Sequence, residues 1–132
     1  MSQENIEVVK SFYEGISRGD VATVLGLMDP EVEWIEAEHF LYADNNPYIG
    51  PNAVLNGVFM RLMTQWEGFK AVPEQFIGMG DTVAVTGRYH GTYRETGKSV
   101  NAQLVHVYTV KDGKLTRFQQ YTDTAQFLDA VK

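Results

Sequence analysis

The second half of the chain consists of four strand-like segments separated by short glycine turns, and this pattern restricts the possible folds more than any other feature. The segments lie near residues 69–79, 82–93, 99–110 and 115–123. The turns between them are Gly80-Asp81, Thr96-Gly97-Lys98 and Asp112-Gly113-Lys114. Turns of this kind are typical of β-hairpins. Consecutive hairpins form a meander, so we expect a mostly antiparallel sheet in this half.

Two helices and one strand are predicted in the first 36 residues. Ser2 can cap a helix that ends at Gly19, and Asp20 can cap a second, short helix that ends at Asp29-Pro30. Residues 31–36 partly alternate and predict a first strand. Apolar side chains at helical spacing support both helices: Ile6, Val9, Phe12, Tyr13 and Ile16 in the first, and Val21, Val24, Leu25 and Met28 in the second.

A long connection and two further helices complete the order of elements. Residues 37–50 form the connection, and a loop of this length in a small domain is more often functional than idle. Gly50-Pro51 can begin a third helix that extends to about Trp66, and residues 124–131 predict a last, short helix. The order indicates a single α+β domain over residues 1–132, with three N-terminal helices on a strongly curved sheet. Such a sheet leaves a pocket on its concave side.

Composition excludes several kinds of function. The chain has no cysteine, which excludes disulfides, thiolate nucleophiles and cysteine metal sites. Its formal net charge is −6 and no Lys/Arg cluster is present, so we expect no nucleic-acid partner. The spacing of His39, His90 and His106 does not indicate a metal site. The N-terminus does not resemble a signal peptide, and no apolar run reaches the roughly 20 residues that cross a bilayer. We therefore expect a cytoplasmic protein with no membrane partner.

His106 is the most informative polar residue of the predicted sheet. Its strand is apolar at nearly every position, and strand period places Leu104, His106 and Tyr108 on one face. Burial of an imidazole without a partner costs a few kcal/mol. His106 is therefore either a structural histidine bonded to a backbone carbonyl or an acid–base group that faces the pocket.

Two carboxylates are candidate bases. Asp123 follows the last strand and shares a face with Gln119 and Tyr121 by parity, although it can equally cap the helix that follows. Glu36 shares a face with Trp34 at the end of the first strand. A carboxylate beside aromatic surface can have a raised pKa and act as a base, and the alternative is a solvated strand-end glutamate.

Aromatic side chains favour a cavity over a solid core. The chain has seven tyrosines, and each buried hydroxyl needs a hydrogen-bond partner. Methionines on the third helix can fill irregular space beside them. The side chains that we expect to bind substrate are Tyr13, Trp34, His39, Tyr48, Phe59, Met63, Trp66, Tyr89, Tyr108 and Tyr121.

Several short segments, taken in order, carry a resemblance to a known family. They are Arg18-Gly19-Asp20, residues 29–34, Gly50-Pro51, residues 106–114 and residues 121–125. In this order and spacing the chain resembles the SnoaL-like branch of the NTF2-like, or ketosteroid-isomerase-like, superfamily over essentially its whole length. The resemblance implies a cone-shaped domain with a deep apolar pocket and no cofactor. It also implies a homodimer formed through the outer face of the sheet.

The resemblance also implies roles for individual residues. In the family's polyketide cyclases the acid–base aspartate and its neighbouring histidine fall at Asp123 and His106. In its isomerases the carboxylate base falls at Glu36. The isomerases' oxyanion tyrosine falls at Phe12, with Tyr13 one residue off and pointing elsewhere, and their second oxyanion acid falls near His106.

Three hypotheses for function remain open. In the first, the chain is a cofactor-free cyclase or isomerase acting on a small, apolar carbonyl compound. Asp123 or Glu36 would then abstract a proton, and His106 or a tyrosine hydroxyl would stabilise the enolate. In the second, it is a non-catalytic ligand-binding or sensing domain. In the third, it binds a partner protein through the convex sheet face, which predicts a pocket filled by side chains.

Overall fold

Helix α1 (Ser2–Arg18) and helix α2 (Val21–Gly26) begin the fold in the computed structural model, which describes residues 2–132. Gly19 ends α1 with a φ of 69°, a left-handed conformation that glycine adopts without strain. The Asp20 side chain accepts a hydrogen bond from the Thr23 backbone nitrogen at 3.2 Å and so caps α2. The predicted end of α1 and the predicted cap of α2 are confirmed.

Strand β1 (Met28–Ile35) begins three residues before the predicted position. Met28 was expected in α2 but is the first residue of β1, where it pairs with Leu115 of the last strand in a parallel arrangement. A buried apolar residue at this position fits a short helix or a strand equally well by its spacing. The pairing with Leu115, which lies far away in sequence, decides between them.

The connection after β1 contains structure of its own. Residues Ala43–Asn45 form a 3₁₀ turn, and strand β2 (Tyr48–Ile49) pairs antiparallel with β1. The helical stretch 51–65 follows, and it consists of α3 (Pro51–Val54), a π-helical turn (Leu55–Phe59) and α4 (Met60–Gln65). Trp66 was expected in this stretch but is the first residue of the next strand.

Four long strands and a short helix complete the chain. The strands are β3 (Trp66–Met79), β4 (Thr82–Tyr93), β5 (Ser99–Lys111) and β6 (Lys114–Thr122), and the helix is α5 (Thr124–Ala130). The sheet order is β2-β1-β6-β5-β4-β3, and every pairing is antiparallel except that between β1 and β6. The predicted α+β class and the mostly antiparallel sheet are confirmed, and the sheet curls without closing.

A bulge in the β5–β6 hairpin decides which side chains of β6 face the helices. At the turn Lys111 pairs with Lys114, but the register shifts by one residue between Thr109 and Val110. His106 therefore lies opposite Gln120. Without the shift, Gln119 would lie opposite His106. Because strand side chains alternate between faces, this single residue exchanges the two faces of most of β6.

Candidate functional site

A cavity of about 90 Å³ lies between the sheet and the helical elements, and we call it the inner chamber. Most of its lining side chains are aromatic or aliphatic, and they come from α1, the helical stretch 51–65, the connection after β1 and the sheet strands. Its polar lining consists of Tyr13, Glu36, Lys70, Tyr89, His106, Tyr108 and Gln120. This open space contradicts the third hypothesis, which requires a filled pocket.

His106 is buried in the wall of the chamber, with 4% of its surface exposed. Its Nδ1 lies 2.6 Å from the Tyr13 hydroxyl oxygen, and its Nε2 lies 2.5 Å from that of Tyr89. Desolvation by burial lowers the pKa of His106 to about 3, so the ring is neutral at physiological pH. The structural alternative for His106 was a bond to a backbone carbonyl. It is wrong, because both ring nitrogens bond tyrosine hydroxyls.

The hydrogen bonds continue beyond both tyrosines. The Tyr108 hydroxyl donates to that of Tyr13 at 2.8 Å, and Gln120 Nε2 donates to the Tyr89 hydroxyl at 2.9 Å. The Ala37 backbone nitrogen donates in turn to Gln120 Oε1 at 3.0 Å, which fixes the orientation of the amide. We call Tyr108, Tyr13, His106 and Tyr89 the tyrosine–histidine chain.

The tyrosine–histidine chain holds one proton more than its internal bonds require. Burial raises the pKa of Tyr13, Tyr89 and Tyr108, so each carries its hydroxyl proton. The three hydroxyls and the neutral imidazole thus have four protons. They make only three bonds among themselves, because the Gln120 bond to Tyr89 uses a proton of Gln120. One hydroxyl proton is consequently free to bond a ligand oxygen in the chamber.

Glu36 is the carboxylate of the inner chamber. Only 3% of its surface is exposed, and desolvation by burial raises its pKa to about 8. The indole nitrogen of Trp34 donates to its Oε2 at 3.2 Å and partly offsets that rise. Asn46 accepts from the Glu36 backbone nitrogen at 2.9 Å and donates to its carbonyl at 2.8 Å. The long connection therefore holds Glu36 in place, and the solvated alternative is wrong.

A larger, apolar groove of about 390 Å³ adjoins the inner chamber, and we call it the outer groove. Its floor and walls include Met63 and Trp66, and its charged lining residues are Asp20 and Arg94. The groove and the chamber share four lining residues, which we call the neck: Ile16, Phe59, Leu62 and Phe69.

Most of the side chains that were expected to bind substrate line one of these two spaces. Trp34 adjoins Glu36 in the inner chamber, Phe59 belongs to the neck, and Met63 and Trp66 line the outer groove. The helix α1 carries a correction. The resemblance to the isomerases implied that Tyr13 points elsewhere, but its hydroxyl lies in the inner chamber and bonds His106, as its place among the expected substrate-binding residues requires.

The structure does not bring Asp123 into either space. It precedes α5, and its Oδ2 accepts a hydrogen bond from Gln126 Nε2 at 3.1 Å. The Asp123 side chain makes no capping bond to the α5 backbone, so its predicted capping role is also absent. The β6 side chain that reaches the chamber is Gln120, which the sequence reasoning missed.

Three other expected residues also lie outside both spaces. His39 is exposed, with a left-handed φ of 70°. Tyr48 is buried, but its hydroxyl donates to the Tyr42 carbonyl at 2.6 Å and lines neither space. Tyr121 is 56% exposed, as its position in β6 beside the inward-facing Gln120 requires.

Metal binding and membrane insertion are two other kinds of function to consider for residues 2–132. No group of three or more His, Asp or Glu side chains could hold a metal ion within this part of the chain. The helices formed by the same residues are too short or too polar to cross a membrane.

The chain is similar to known proteins in both sequence and fold. Residues 9–118 match the model of the SnoaL-like domain. An NTF2-like protein from Burkholderia thailandensis is 33% identical, with a TM-score of 0.92 over 100% of this chain and 98% of that chain. TerC, co-crystallized with polyporic acid, is 29% identical, with a TM-score of 0.86 over 97% and 98%. No curated protein is significantly similar to the chain.

A more distant structure shows the likeness of the fold alone. It is a protein with a ketosteroid isomerase-like fold from Catenulispora acidiphila DSM 44928, in complex with trimethylamine. It is 14% identical, with a TM-score of 0.79 over 94% of this chain and 91% of that chain.

Proposed function

The chain belongs to the SnoaL-like domain family, and from that premise we propose that it is a cofactor-independent acid–base enzyme. Its reaction is a proton transfer next to a carbonyl group, as in a cyclisation or an isomerisation, and its substrate is largely apolar. One observation carries the proposal. A buried carboxylate, Glu36, and a hydroxyl proton that has no acceptor within the tyrosine–histidine chain face the same chamber.

Glu36 is the base in this reaction. A pKa of about 8 leaves roughly one tenth of the side chain ionised at pH 7, and the ionised form is a stronger base than an ordinary glutamate. The carboxylate takes a proton from the carbon beside the carbonyl and becomes a carboxylic acid, while the substrate becomes an enolate. It then returns the proton to carbon, so the carboxylate is regenerated.

The tyrosine–histidine chain stabilises the enolate oxygen. Its free hydroxyl proton bonds the oxygen on which negative charge develops, and the buried surroundings strengthen that bond. The histidine does not act as an acid here, because the pKa of His106 lies at about 3. No tyrosine becomes a phenolate, since burial raises the pKa of each hydroxyl in the chain.

The outer groove accommodates the apolar body of the substrate. The inner chamber, at about 90 Å³, has room for the reacting carbonyl and little more. The neck borders both the chamber and about 390 Å³ of mainly apolar space, where aromatic or alicyclic rings can be desolvated. A substrate with a carbonyl at one end of a ring system fits this arrangement, with its carbonyl in the chamber and its rings in the groove.

The proposal can be tested without the natural substrate, because proton abstraction exchanges hydrogen for deuterium in heavy water. The probe is 2-tetralone, a bicyclic ketone, and mass spectrometry follows its deuterium content. We expect the chain to accelerate exchange, with a rate that rises with pH and levels off above about pH 8 as Glu36 ionises. Glu36→Gln should lower the accelerated rate about 10²- to 10⁴-fold.

Glu38→Gln is the matched control, because Glu38 is an exposed glutamate of the same connection. It should leave the exchange rate unchanged. Polyporic acid, with which TerC was co-crystallized, is a second probe, for binding. If either compound binds and neither 2-tetralone exchange nor any product is detected, the enzyme proposal fails and a ligand-binding domain is the function that remains.

A further inference from the structure

The tyrosine–histidine chain has two ends, and both face the inner chamber. Tyr89 forms one end, and Tyr13 with Tyr108 forms the other. His106 lies between them, bonded through one nitrogen to each side. The proton that is not used inside the chain can therefore be presented at either end, and the position of the single imidazole proton determines which.

We propose that His106 is a two-way proton relay, whose tautomer decides whether Tyr89 or the Tyr13–Tyr108 pair offers a hydroxyl proton to the ligand. The arrangement itself is independent of any reaction. Its role in catalysis rests on the function proposed above.

The two states differ in the direction of both hydrogen bonds to His106. When the proton is on Nε2, the ring donates to the Tyr89 oxygen and Nδ1 accepts from Tyr13, so the Tyr89 proton faces the chamber. When the proton is on Nδ1, the ring donates to the Tyr13 oxygen and Nε2 accepts from Tyr89. The free proton then belongs to the Tyr13–Tyr108 pair. Both states make the three internal bonds and keep every group neutral.

Conversion between the states transfers protons in balance. Tyr13 gives its proton to Nδ1 while Nε2 gives its own to the Tyr89 oxygen. Tyr89 releases its former hydroxyl proton to a water or ligand oxygen in the chamber, and Tyr13 takes one from a water or ligand hydroxyl there. One O–H bond is broken and one is formed at each end, so the tyrosines and His106 stay neutral, while the acceptor in the chamber gains one proton and the donor there loses one. One passage therefore moves one proton across the chamber.

Rotation of the imidazole cannot replace this transfer. A half-turn of the ring would point Cδ2 and Cε1 at the two hydroxyls and break both bonds. The ring is also packed against Phe118, with its centroid 4.9 Å from that of the phenyl ring. The low pKa of His106 agrees with a neutral ring that carries one proton.

The relay separates the two reaction types that the proposed function leaves open. An isomerisation keeps its negative charge on one enolate oxygen. Ring closure between two carbonyl groups moves the charge from the enolate oxygen to the oxygen of the attacked carbonyl. A donor that can appear at either end of the chain suits the second reaction. The relay therefore favours substrates that carry two carbonyl oxygens.

Nitrogen-15 NMR of the ligand-free protein tests the relay directly. With ¹⁵N-labelled histidine, the shifts of Nδ1 and Nε2 report which nitrogen carries the proton, and loss of a signal pair in His106→Gln assigns His106. Tyr13→Phe should place the proton on Nε2, because an N–H on Nδ1 would have no acceptor. Tyr89→Phe should place it on Nδ1 for the same reason. Each preference should be roughly fivefold to more than a hundredfold.

Tyr108→Phe is the matched control, since it removes a hydroxyl from the chain and leaves both imidazole nitrogens with their partners. Its tautomer ratio should stay within about twofold of the wild type, because no bond of His106 is lost. If Tyr13→Phe does not fold, comparison of the His106 tautomer ratio in Tyr89→Phe with that in Tyr108→Phe still tests the relay. The proposal is overturned if Tyr13→Phe and Tyr89→Phe show the same tautomer, if Tyr89→Phe does not shift the proton towards Nδ1, or if His106 is doubly protonated at pH 7.

The outcome is separable from that of the proposed function. Glu36→Gln should abolish deuterium exchange and leave the His106 tautomers responding to the tyrosine variants as before. If exchange requires Glu36 but the tautomers do not respond, the relay fails and the proton-transfer function stands. If the tautomers respond and no ketone exchanges deuterium, the relay stands and the proton-transfer function fails.

Discussion

The inner chamber and the outer groove are adjacent and share the four side chains of the neck, yet they are built in opposite ways. In the chamber, buried polar groups bond one another, so that the proton of each depends on those of its neighbours. In the groove, mostly apolar side chains face an open space, and Met63 is 63% exposed. In the chamber, the side chains that would carry out the reaction also affect the stability of the fold. In the groove, side chains can be replaced with little effect on that stability.

The largest expected effect lies in the chamber, where Glu36→Gln should stabilise the protein while it removes activity. Folding raises the pKa of Glu36 from 4.5 to about 8. Between these values only the unfolded chain ionises, so the wild type loses stability as pH rises through that window. The loss reaches at most about 5 kcal/mol above pH 8. Gln has no charge to bury, so the variant should escape this loss.

Urea denaturation at pH 4 and pH 9 measures this difference. The stability of Glu36→Gln minus that of the wild type should grow between the two pH values, and the Glu38→Gln control should show no such growth. An equal difference at both pH values would contradict the buried, hard-to-ionise carboxylate and would remove the contrast between chamber and groove.

The next effect concerns His106, whose pKa shift has the opposite sense. Folding lowers the pKa of His106 from 6.5 to about 3, so below pH 6.5 only the unfolded chain takes up a proton. The wild type should therefore lose stability as pH falls from 6.5 towards 3. His106→Gln should cost about 1–3 kcal/mol at pH 7, because it disturbs two buried hydrogen bonds.

That cost should shrink as pH falls, and thermal unfolding at pH 7 and pH 4 measures it. His90→Gln is the control on the neighbouring strand, because His90 lines neither space. A cost for His106→Gln that is constant with pH would mean that the buried imidazole takes up a proton as easily as the unfolded chain does.

The smallest effect on the fold is expected in the outer groove. Met63→Ser should change the free energy of unfolding by no more than about 0.5 kcal/mol, as is usual for an exposed side chain. It should weaken the binding of 2-tetralone roughly three- to tenfold, because apolar contact is lost. Calorimetry or competition with polyporic acid measures the affinity.

Met60→Ser is the matched control, since Met60 belongs to the same helix but lines neither space. It should leave the affinity unchanged. A large loss of stability in Met63→Ser, without a loss of affinity, would show that the groove is part of the core and not part of the site.

Sequence reasoning recovered the fold because its signals are local. Glycine turns, the Asp20 cap and the alternation in β5 are each readable within a few residues, and together they define the α+β order. The position of Glu36 beside Trp34 was also readable, since two residues in a strand share a face. Dimerisation through the outer face of the sheet stays a prediction.

The site could not be completed from sequence because part of it depends on register. Parity along β6 suggested a face with Gln119 and Asp123, but the bulge at Thr109 and Val110 turns Gln120 towards His106. A β-bulge cannot be identified with certainty from a single sequence. The long connection was equally unreadable, because Asn46 and Tyr48 act through contacts with residues that no periodicity relates to them.

The π-helical turn at Leu55–Phe59 affects which ligands could fit after a change in the length of the chain. Each residue of an α-helix turns the next by about 100°, and a π-helical turn adds one residue to one turn of the helix. Phe59 and Leu62, half of the neck, come at the end of this turn or just after it. Loss of a single residue here would restore regular helix and rotate the preceding residues relative to them. The shape of the neck is thus governed by the length of the chain as well as by its side chains, so deletion of one residue should change which ligands fit while it leaves Glu36 and His106 in place.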